Sequence, residues 1–269
     1  NAGNDATQVT ETTNSSSVIK VGQSSVIEST TNQTTSGNEL HSLIGMSFGS
    51  KEQMGKAVAI SRDGNVFAMS GPYYESKGRV VIYNRGESSN SNKGPVQYGT
   101  NHSDYYGQSI SLNDDGSIIA IGAAQSNTSV GNDSGHVEVR KYNETNNTWD
   151  QLGGVIITGT PGSNSGNVMK MNGDGSIVAI TGYFDHNLKI WQYSIPGQTG
   201  GQWTQMGQTI EPEKSDDSLG YSPDSVALSQ DGYILAIGAG YNDNGGSQSG
   251  HVRIYKYSTT NSIWAVSYT

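Results

Sequence analysis

Four Asp-Gly pairs recur along the chain about 50 to 60 residues apart, and their carboxylates are the groups most open to chemistry. The pairs begin at Asp63, Asp115, Asp174 and Asp231. Calcium loops take oxygen ligands from Asp or Asn at alternating positions. The segments read SRDG, LNDDG, MNGDG and SQDG, so the alternate carboxylates of such a cage are missing. We therefore interpret these Asp residues as formers of hairpin turns, which need the positive φ that Asp and Gly tolerate.

One other loop is a candidate for cation binding. The segment YNDNGGSQSG, residues 241–250, carries three consecutive oxygen-bearing side chains at Asn242, Asp243 and Asn244. These are suitable oxygen ligands for calcium, although runs of this kind are also ordinary loop composition. Calcium is the one ion that the sequence suggests, and no other cofactor is expected.

The histidines give no catalytic signature. His136 and His251 occupy the same GHV position in two copies of a repeat, so we interpret both as structural. His41, His102 and His186 stand alone, without an HExxH pair or a second metal ligand at fixed spacing. A nucleophile elbow, a P-loop and a dinucleotide fingerprint are also missing from the sequence. The sequence therefore predicts that the protein is not an enzyme, although hydrolase carboxylates that converge only in space would escape this search.

Aromatic residues divide into two groups by position. Trp149, Trp203 and Trp264 share one repeat position, which favours packing between repeats over stacking on sugar rings. Other aromatic residues lie in or near predicted loops and are better candidates for a binding surface. They are Tyr73, Tyr74, Tyr105 and Tyr106.

Glycan acceptors are a further possibility, because N-x-S/T sequons are the sites of N-linked sugar. Chance explains most of them in a chain so rich in Asn, Ser and Thr, but their positions in predicted loops permit modification. The sequons fall at Asn14, Asn32, Asn101, Asn127, Asn132, Asn143 and Asn146.

Composition limits the class of protein. The 269 residues carry 24 acidic and 15 basic side chains, a net charge of -9, 36 glycines and no cysteine. Clustered Lys and Arg are missing, so nucleic acid is not an expected partner. No apolar run approaches the roughly 20 residues that cross a bilayer, so membrane insertion is not expected. Residue 1 is Asn, as if a leader had been removed or the chain trimmed.

The elements around the Asp-Gly pairs repeat as well. Apolar residues alternate before each pair, and a nearly continuous apolar run follows it, as in Ile118–Ile121. Third and fourth strands recur in segments such as GHVEVRKY and TWDQLG, so each unit is predicted to form four antiparallel strands. Tandem units of this kind predict an all-β fold, a β-propeller of four four-stranded blades. The predicted propeller domain covers residues 40–269, with repeats at about 54–100, 106–154, 166–208 and 219–269.

These repeats resemble the FG-GAP class, best known from the integrin alpha-subunit head. The family pattern runs from Phe-Gly through Asp-Gly and Gly-Ala-Pro to a Gly-x-Val-x-Val-Tyr strand. The first copy here reads MGKAVAISRDGNVFAMSGP, residues 54–72, and the later copies have Tyr106-Gly107, Gly166 and Leu219-Gly220 in the Phe-Gly place. The resemblance implies a propeller fold. It departs from the calcium-binding members, whose loops read D-x-D-x-D-G.

Residues 1–39 do not match the repeat and form a polar N-terminal extension. Two short strands are plausible within residues 16–30, and the region is either an incomplete fifth blade or an arm before the ring. A strand there could pair with an exposed blade edge of its own chain or of a second copy. The residues that we expect to take part in self-association are Val18, Ile19, Val21, Val26 and Ile27.

Taken together, these features predict a secreted, non-enzymatic structural or adhesive propeller at the cell surface or outside the cell. Self-association through residues 1–39 would build a filament or a surface layer, so other copies of the chain are the expected partners. The alternative is a lectin-like or adhesin-like domain that recognises carbohydrate, in which case glycans are partners, or that depends on calcium.

Overall fold

The computed structural model describes part of the chain: residues 20–21, 24–25, 51–86, 91–195, 200–214, 217–222 and 225–268. The chain divides into two units, Asn1–Phe48 and Gly49–Thr269. In the first unit, strand β1 (Lys20–Val21) pairs with β2 (Ser24–Ser25) in antiparallel fashion, so Val21 lies in a strand. Several residues discussed above lie outside the described ranges: Asn14, Val18, Ile19, Val26, Ile27, Asn32 and His41.

The second unit consists of four antiparallel sheets that follow one another along the chain. Blade 1 comprises β3 (Val58–Ile60), β4 (Val66–Gly71), β5 (Arg79–Asn84), β6 (Ser91–Asn92) and β7 (Gln97–Tyr98), with a 3-10 turn at Tyr74–Ser76. Blade 2 comprises β8 (Tyr106–Leu112), β9 (Ile118–Ala123), β10 (His136–Asn143) and β11 (Thr148–Gln151).

The last two blades repeat this plan. Blade 3 comprises β12 (Ser165–Met171), β13 (Ile177–Gly182), β14 (Leu188–Tyr193) and β15 (Trp203–Gln205). Blade 4 comprises β16 (Val226–Leu228), β17 (Ile234–Ala239), β18 (His251–Ser258) and β19 (Ile263–Tyr268). Within each blade, each strand pairs with the next along the chain, except that β6 and β7 both pair with β5. The predicted fold class, a β-propeller of four-stranded blades, is confirmed.

The Asp-Gly pairs form the turns between the first and second strands of the blades. In blade 1, Asp63 Oδ1 accepts hydrogen bonds from the Ser61 hydroxyl at 2.7 Å and from the Asn65 N–H at 2.9 Å. The hydrogen bonds from Ser61 and Asn65 lower the pKa of Asp63 below its ordinary value. The carboxylate is therefore used within its own turn, as the hairpin interpretation requires.

The apolar core lies between the blades. Successive strand residues point to opposite faces, so every blade has a forward face toward the next blade and a rear face toward the preceding one. Ile118 and Val137 on the forward face of blade 2, for example, belong to the same cluster as Met169 and Val178 on the rear face of blade 3. Equivalent clusters join blade 1 to blade 2 and blade 3 to blade 4. Neighbouring blades therefore bury each other's apolar faces.

The repeated tryptophans pack between blades, as predicted. The indole N–H of Trp203 in blade 3 donates to the Leu152 carbonyl of blade 2 at 2.8 Å. Trp149 and Trp264 make the equivalent bond to the blade before them, at 2.6 and 2.8 Å. These donors are engaged inside the protein, so the three tryptophans are not sugar-stacking platforms.

A ladder of backbone hydrogen bonds links the turns at the inner edge of the blades. The residue before each Asp-Gly pair donates its N–H to the carbonyl of the equivalent residue in the next blade: Arg62 to Asp114, Asp114 to Gly173, and Gly173 to Gln230, each at 2.8 Å. The ladder holds the four turns in register. It leaves the opposite ends of the strands, where longer loops emerge, free to form a site.

Candidate active site

The loops at the far end of blades 3 and 4 enclose a cleft of about 440 Å³, which we call the aromatic cleft. A second depression of about 470 Å³ adjoins it and shares three of its residues. The aromatic cleft is lined by His186, Ser218, Tyr221, Tyr241, Asp243, Ser247 and Gln248.

Three loops supply these side chains. The β13–β14 loop carries His186, the segment that leads into β16 carries Ser218 and Tyr221, and the β17–β18 loop carries the remainder. Backbone bonds hold the loops together: Tyr241 N–H donates to the Asp217 carbonyl at 3.4 Å, and Gly250 N–H donates to the Asn242 carbonyl at 2.9 Å. Short strands on a packed scaffold thus position loops that carry little regular structure of their own.

One wall of the cleft is aromatic: Tyr221 and Tyr241 line it, and the rings of Tyr183 and Phe184 extend it beyond the lining. The hydroxyls of Tyr183 and Tyr221 are 2.7 Å apart, and their ring centroids are 4.9 Å apart. The Phe184 ring meets Tyr183 edge-on, and the Tyr241 ring meets Tyr221 in the same way. Phe184 and Tyr241 are exposed. The wall therefore offers flat apolar faces beside hydroxyl groups.

His186 is the titratable group best placed for proton transfer. Burial lowers the pKa of His186 below its ordinary value, against the opposing charge of Asp185, so the ring is neutral near pH 7. Its Nδ1 is enclosed and has no hydrogen-bond partner among the described residues. The ring centroid lies 5.9 Å from that of Tyr221. A neutral imidazole in a cleft can accept a proton.

The groups beside His186 are also perturbed. Burial raises the pKa of Asp185, while the Asn187 N–H and the charges of Lys189 and His186 oppose the rise. The hydrogen bond with Tyr183 raises the pKa of Tyr221. Titratable groups in a cleft whose pKa values are perturbed by burial and by a specific partner are candidates for a functional site.

Three of the residues that line the cleft have a strained backbone conformation. His186, Ser218 and Gln248 have φ values of 49°, 52° and 51°, in the left-handed region that residues with a Cβ seldom adopt. Each such residue costs of the order of 1 kcal/mol and is retained only where the surroundings impose it. Three loops therefore present strained residues to one cleft.

The cation candidate at residues 242–244 has internal partners. The amide groups of Asn242 and Asn244 both donate to Glu213 Oε2, at 3.2 and 2.6 Å, and Asp243 Oδ1 accepts the Gln248 N–H at 2.7 Å. Glu213 also pairs with Arg253. Nowhere in the described ranges do three or more His, Asp or Glu side chains gather as a metal ion requires. The structure thus places the three residues together, with amide donors turned toward a carboxylate.

The tyrosines expected to form a binding surface have different environments. The rings of Tyr73 and Tyr105 pack 4.8 Å apart, and Tyr74 lies under the Arg79 guanidinium at 4.4 Å. Tyr106 is fully buried in β8, and its hydroxyl donates to Glu138 at 3.1 Å. The surface interpretation is therefore wrong for Tyr106, because it lies at the start of a strand that packs against blade 1.

The sequons that can be described lie in loops or at a strand end. Asn101, Asn127, Asn132 and Asn146 are exposed. Asn143 is half-buried, and its amide donates to Asp150 at 2.8 Å. As sites of glycosylation these residues stay predictions.

Of the two histidines that recur with the repeat, His136 is engaged inside its blade, whereas the Nε2 of His251 is enclosed without a hydrogen-bond partner among the described residues. His136 Nδ1 lies 2.5 Å from the Ser126 hydroxyl, inside blade 2. The residue that sequence reasoning missed is His186, which was read as an isolated loop histidine. Its only local signal is the preceding YFD segment, because the rest of the cleft comes from residues more than 30 positions away.

A further cleft, of about 520 Å³, lies at the end of the blades where the Asp-Gly turns are, and it is rich in carboxylates. Asp231 is held by the Ser229 hydroxyl at 2.6 Å, and Asp114 by the Gln230 amide at 2.8 Å and the Arg62 guanidinium at 3.1 Å. These carboxylates already accept hydrogen bonds from neighbouring side chains, so we place the candidate site in the aromatic cleft.

No protein-family model and no curated protein matches the chain. Solved structures do resemble it. A protein from Lactobacillus plantarum has 10% identity and a TM-score of 0.52, and the match covers 79% of this chain and 54% of that one. The KlAtg21 structure, a complex with the coiled coil of AgAtg16, has 16% identity and a TM-score of 0.50, and the match covers 79% of this chain and 56% of that one. The chain thus spans about half the length of these structures, and the likeness shows the fold alone.

A third match has the name of an enzyme. It is a putative 6-phosphogluconolactonase from Bacteroides uniformis, with 10% identity and a TM-score of 0.45, and the match covers 79% of this chain and 70% of that one. Similar names recur among the matches, including a gluconolactonase.

These names correct the prediction of a non-enzymatic structural or adhesive protein. One fold hosts many unrelated functions, so the propeller fold and the lack of a short sequence motif give no ground for excluding catalysis. Neither the adhesive filament nor its lectin-like alternative is retained, because both assumed a protein without catalysis. The structure also has, within the part that it describes, no helix with the length and hydropathy of a membrane span.

Proposed function

We propose that the chain is a hydrolase that cleaves an ester or a lactone of a hydroxylated carboxylic acid in the aromatic cleft, with His186 as the general base. The observation that carries the proposal is the neutral imidazole of His186, which lines an open cleft beside tyrosine hydroxyls and an acidic neighbour of raised pKa. General bases work best when they are unprotonated at the working pH.

The reaction needs one base and one water molecule. His186 takes a proton from the water, whose oxygen attacks the carbonyl carbon of the ester. The imidazolium that forms then returns the proton to the oxygen of the leaving group as the C–O bond breaks. The products are a carboxylic acid and an alcohol, which stay joined as one hydroxy acid if the substrate is a lactone. At the end of the reaction, His186 is again neutral, as it was at the start.

The aromatic wall supports a hydroxylated substrate. Ring faces bind the apolar side of a sugar-like ring, and nearby hydroxyls satisfy its polar edge. Tyr221 and Tyr241 supply the faces, while Ser218, Ser247 and Gln248 supply hydrogen-bonding groups. The cleft therefore fits a small polyhydroxylated ester better than a long apolar chain.

The first experiment measures ester hydrolysis by the purified chain against a panel of sugar-acid lactones and aryl esters. Lactones come first because similar structures are named for them. We expect His186→Gln to lower kcat/KM by about 100-fold or more, the usual contribution of a general base. His102→Gln, at an exposed loop histidine, is the matched control and should leave the rate unchanged. Equal rates for His186→Gln and wild type, or no hydrolysis of any substrate, would overturn the proposal.

The pH profile gives a second readout. Because the base must be neutral, kcat/KM should rise with pH through the pKa of His186 and level off above it. Burial places that pKa below the ordinary 6.5, so the midpoint should lie below 6.5. A midpoint above 6.5, or a rate that falls as pH rises toward 6.5, would be inconsistent with His186 as the base.

Other features of the chain stay proposals. Membership of the FG-GAP class, an extracellular location and calcium binding at residues 242–244 each rest on the sequence alone. A chelator titration followed by circular dichroism and by the hydrolysis assay tests the last of these.

A further inference from the structure

The rear face of blade 1 is exposed, although its counterparts in the other blades are buried. Val58 and Ile60, on the first strand of blade 1, are 71% and 66% exposed. The residues equivalent to Val58 are Ile110, Met169 and Val226, and all three are buried against the preceding blade. Among the described residues, blade 1 therefore carries the apolar face of an inner blade without the neighbour that such a face has in the other blades.

The forward face of blade 4 is exposed in the same way. Ile234, the first residue of its second strand, is 45% exposed, and Val252 on its third strand is 59% exposed. Their counterparts in the preceding blades are buried: Val66, Ile118 and Ile177 for the first position, and Val80, Val137 and Leu188 for the second. Among the described strands, none of blade 1 packs extensively on one of blade 4. The two faces thus do not cover each other within one chain.

The turn glycines show what each face accepts. A Cβ at Gly175 would come within 2.8 Å of the Ile118 side chain in the preceding blade, and the same contact recurs at the two other junctions. Gly64, in the turn of blade 1, has no residue of another blade within 4 Å. Ile234 in blade 4 is equivalent to Ile118, the side chain that contacts the turn glycine of the next blade. The rear face of blade 1 therefore carries a turn glycine without such a contact, and the forward face of blade 4 carries the side chain that would make it.

The hydrogen-bond ladder has matching ends as well. Each rung runs from an N–H in one blade to a carbonyl in the next. The described chain supplies no further rung for the Gln230 N–H in blade 4 or for the Arg62 carbonyl in blade 1. The forward face of blade 4 thus ends on a donor, and the rear face of blade 1 ends on an acceptor.

We propose that a second copy of this chain docks head to tail, with the forward face of blade 4 on the rear face of blade 1. The occupant is a second copy because a single chain carries both halves of a junction that it already forms three times internally. Two copies joined at both junctions leave neither face exposed, so a dimer is the expected state.

The test measures the molar mass of the full chain by light scattering at micromolar concentration. We expect a dimer for the wild type and a monomer for Val58→Asp and for Ile234→Asp, since either change places a charge in the junction. Val130→Asp is the matched control, because Val130 is 46% exposed on the β9–β10 loop and lies on neither face. All three changed positions are exposed in the single chain. Circular dichroism of each variant is the check that it is folded.

Mixing the two monomeric variants tests the direction of docking. Val58→Asp keeps an intact blade 4 face, and Ile234→Asp keeps an intact blade 1 face, so the mixture restores one native junction and should recover part of the dimer. A monomeric wild type, with the faces covered by the chain's own remaining residues or by nothing, would overturn the proposal. So would dimers that persist in both variants, or a mixture that stays monomeric.

Discussion

At the scale of single residues, a partly buried network in blade 2 shows how the fold accommodates charged side chains. Glu138 Oε2 accepts hydrogen bonds from the Tyr106 hydroxyl at 3.1 Å and from Arg140 at 2.8 Å. Burial works against ionisation of the carboxyl, but the hydrogen bond with His136 and the charge of Arg140 outweigh it and lower the pKa of Glu138 to about 2. The carboxylate therefore stays ionised inside the propeller.

Replacing this carboxylate should destabilise the protein in a way that depends on pH. The pKa of Glu138 is depressed in the folded state, so its contribution is present above the ordinary value of 4.5 and is lost as pH falls from 4.5 toward 2. At 1.36 kcal/mol per pKa unit, we expect Glu138→Gln to lower the free energy of unfolding by about 3 kcal/mol at pH 7. Urea titrations at pH 7 and pH 3 measure the difference, which should shrink at the lower pH.

The exposed Glu144→Gln variant is the control for Glu138→Gln and should change stability little at either pH. A loss for Glu138→Gln that is the same at both pH values would show that packing, and not the charge, is responsible.

Single residues were predictable where the repeat constrains them. The turn role of Asp63 and the structural role of His136 follow from their recurrence with the blade. His186 was not predictable, because its partners come from three loops in two blades and its significance depends on burial that no local pattern encodes. Tyr106 was misread for a related reason: it stands next to loop residues in sequence, but it begins a strand.

At the scale of elements, strand pairing follows directly from the alternation of apolar residues and from the Asp-Gly turns. The divided outer strand of blade 1 is the exception, since β6 and β7 each contain two residues. Its sequence, SNSNKGPVQY, has few apolar residues and a proline, which disfavour a continuous strand. What joins the elements is less visible in sequence, because indole hydrogen bonds between blades depend on how closely the blades approach.

Comparing two tryptophan substitutions distinguishes the contribution of this indole hydrogen bond to stability from the contribution of packing. Trp203→Phe removes the indole donor to Leu152, whereas Trp191→Phe removes a buried Nε1 that has no partner among the described residues. Both changes remove a similar apolar area, so their difference should reflect the hydrogen bond. We expect Trp203→Phe to be less stable than Trp191→Phe by about 1 kcal/mol in urea denaturation. Equal losses would mean that the bond contributes nothing to the blade junction.

At the scale of the whole second unit, the spacing between blades is set where a turn glycine meets the preceding blade. Gly175 has a φ of 78° and lies against Ile118, whereas Gly64 has a φ of 72° and, as the neighbour of a Cβ placed there, the tip of the Arg85 side chain at 3.9 Å. The sequence predicted the turns but not this contact, because glycine is expected in such a turn for its conformation alone.

Alanine substitutions at Gly64 and Gly175 distinguish the cost of the left-handed backbone from the cost of a clash with the preceding blade. Both variants bear the cost of a left-handed alanine, about 1 kcal/mol, and Gly175→Ala also drives a methyl group into Ile118, which costs about 1 to 3 kcal/mol more. Measured in the Ile234→Asp background, where we expect monomers, Gly175→Ala should therefore be the less stable of the two in urea denaturation. Comparable losses would show that Ile118 yields to the methyl group.

The indole bonds also join blades that are consecutive in the chain, which bears on the order in which the blades can fold. In every case the tryptophan donor follows its carbonyl acceptor in the chain, by 51 to 58 residues, so the acceptor is made first. As the polypeptide leaves the ribosome, each emerging sheet finds its binding partner already synthesised, and folding can advance with translation without waiting for the C-terminus. A fold whose neighbouring sheets came from distant parts of the chain would have to hold its early sheets open until synthesis ended.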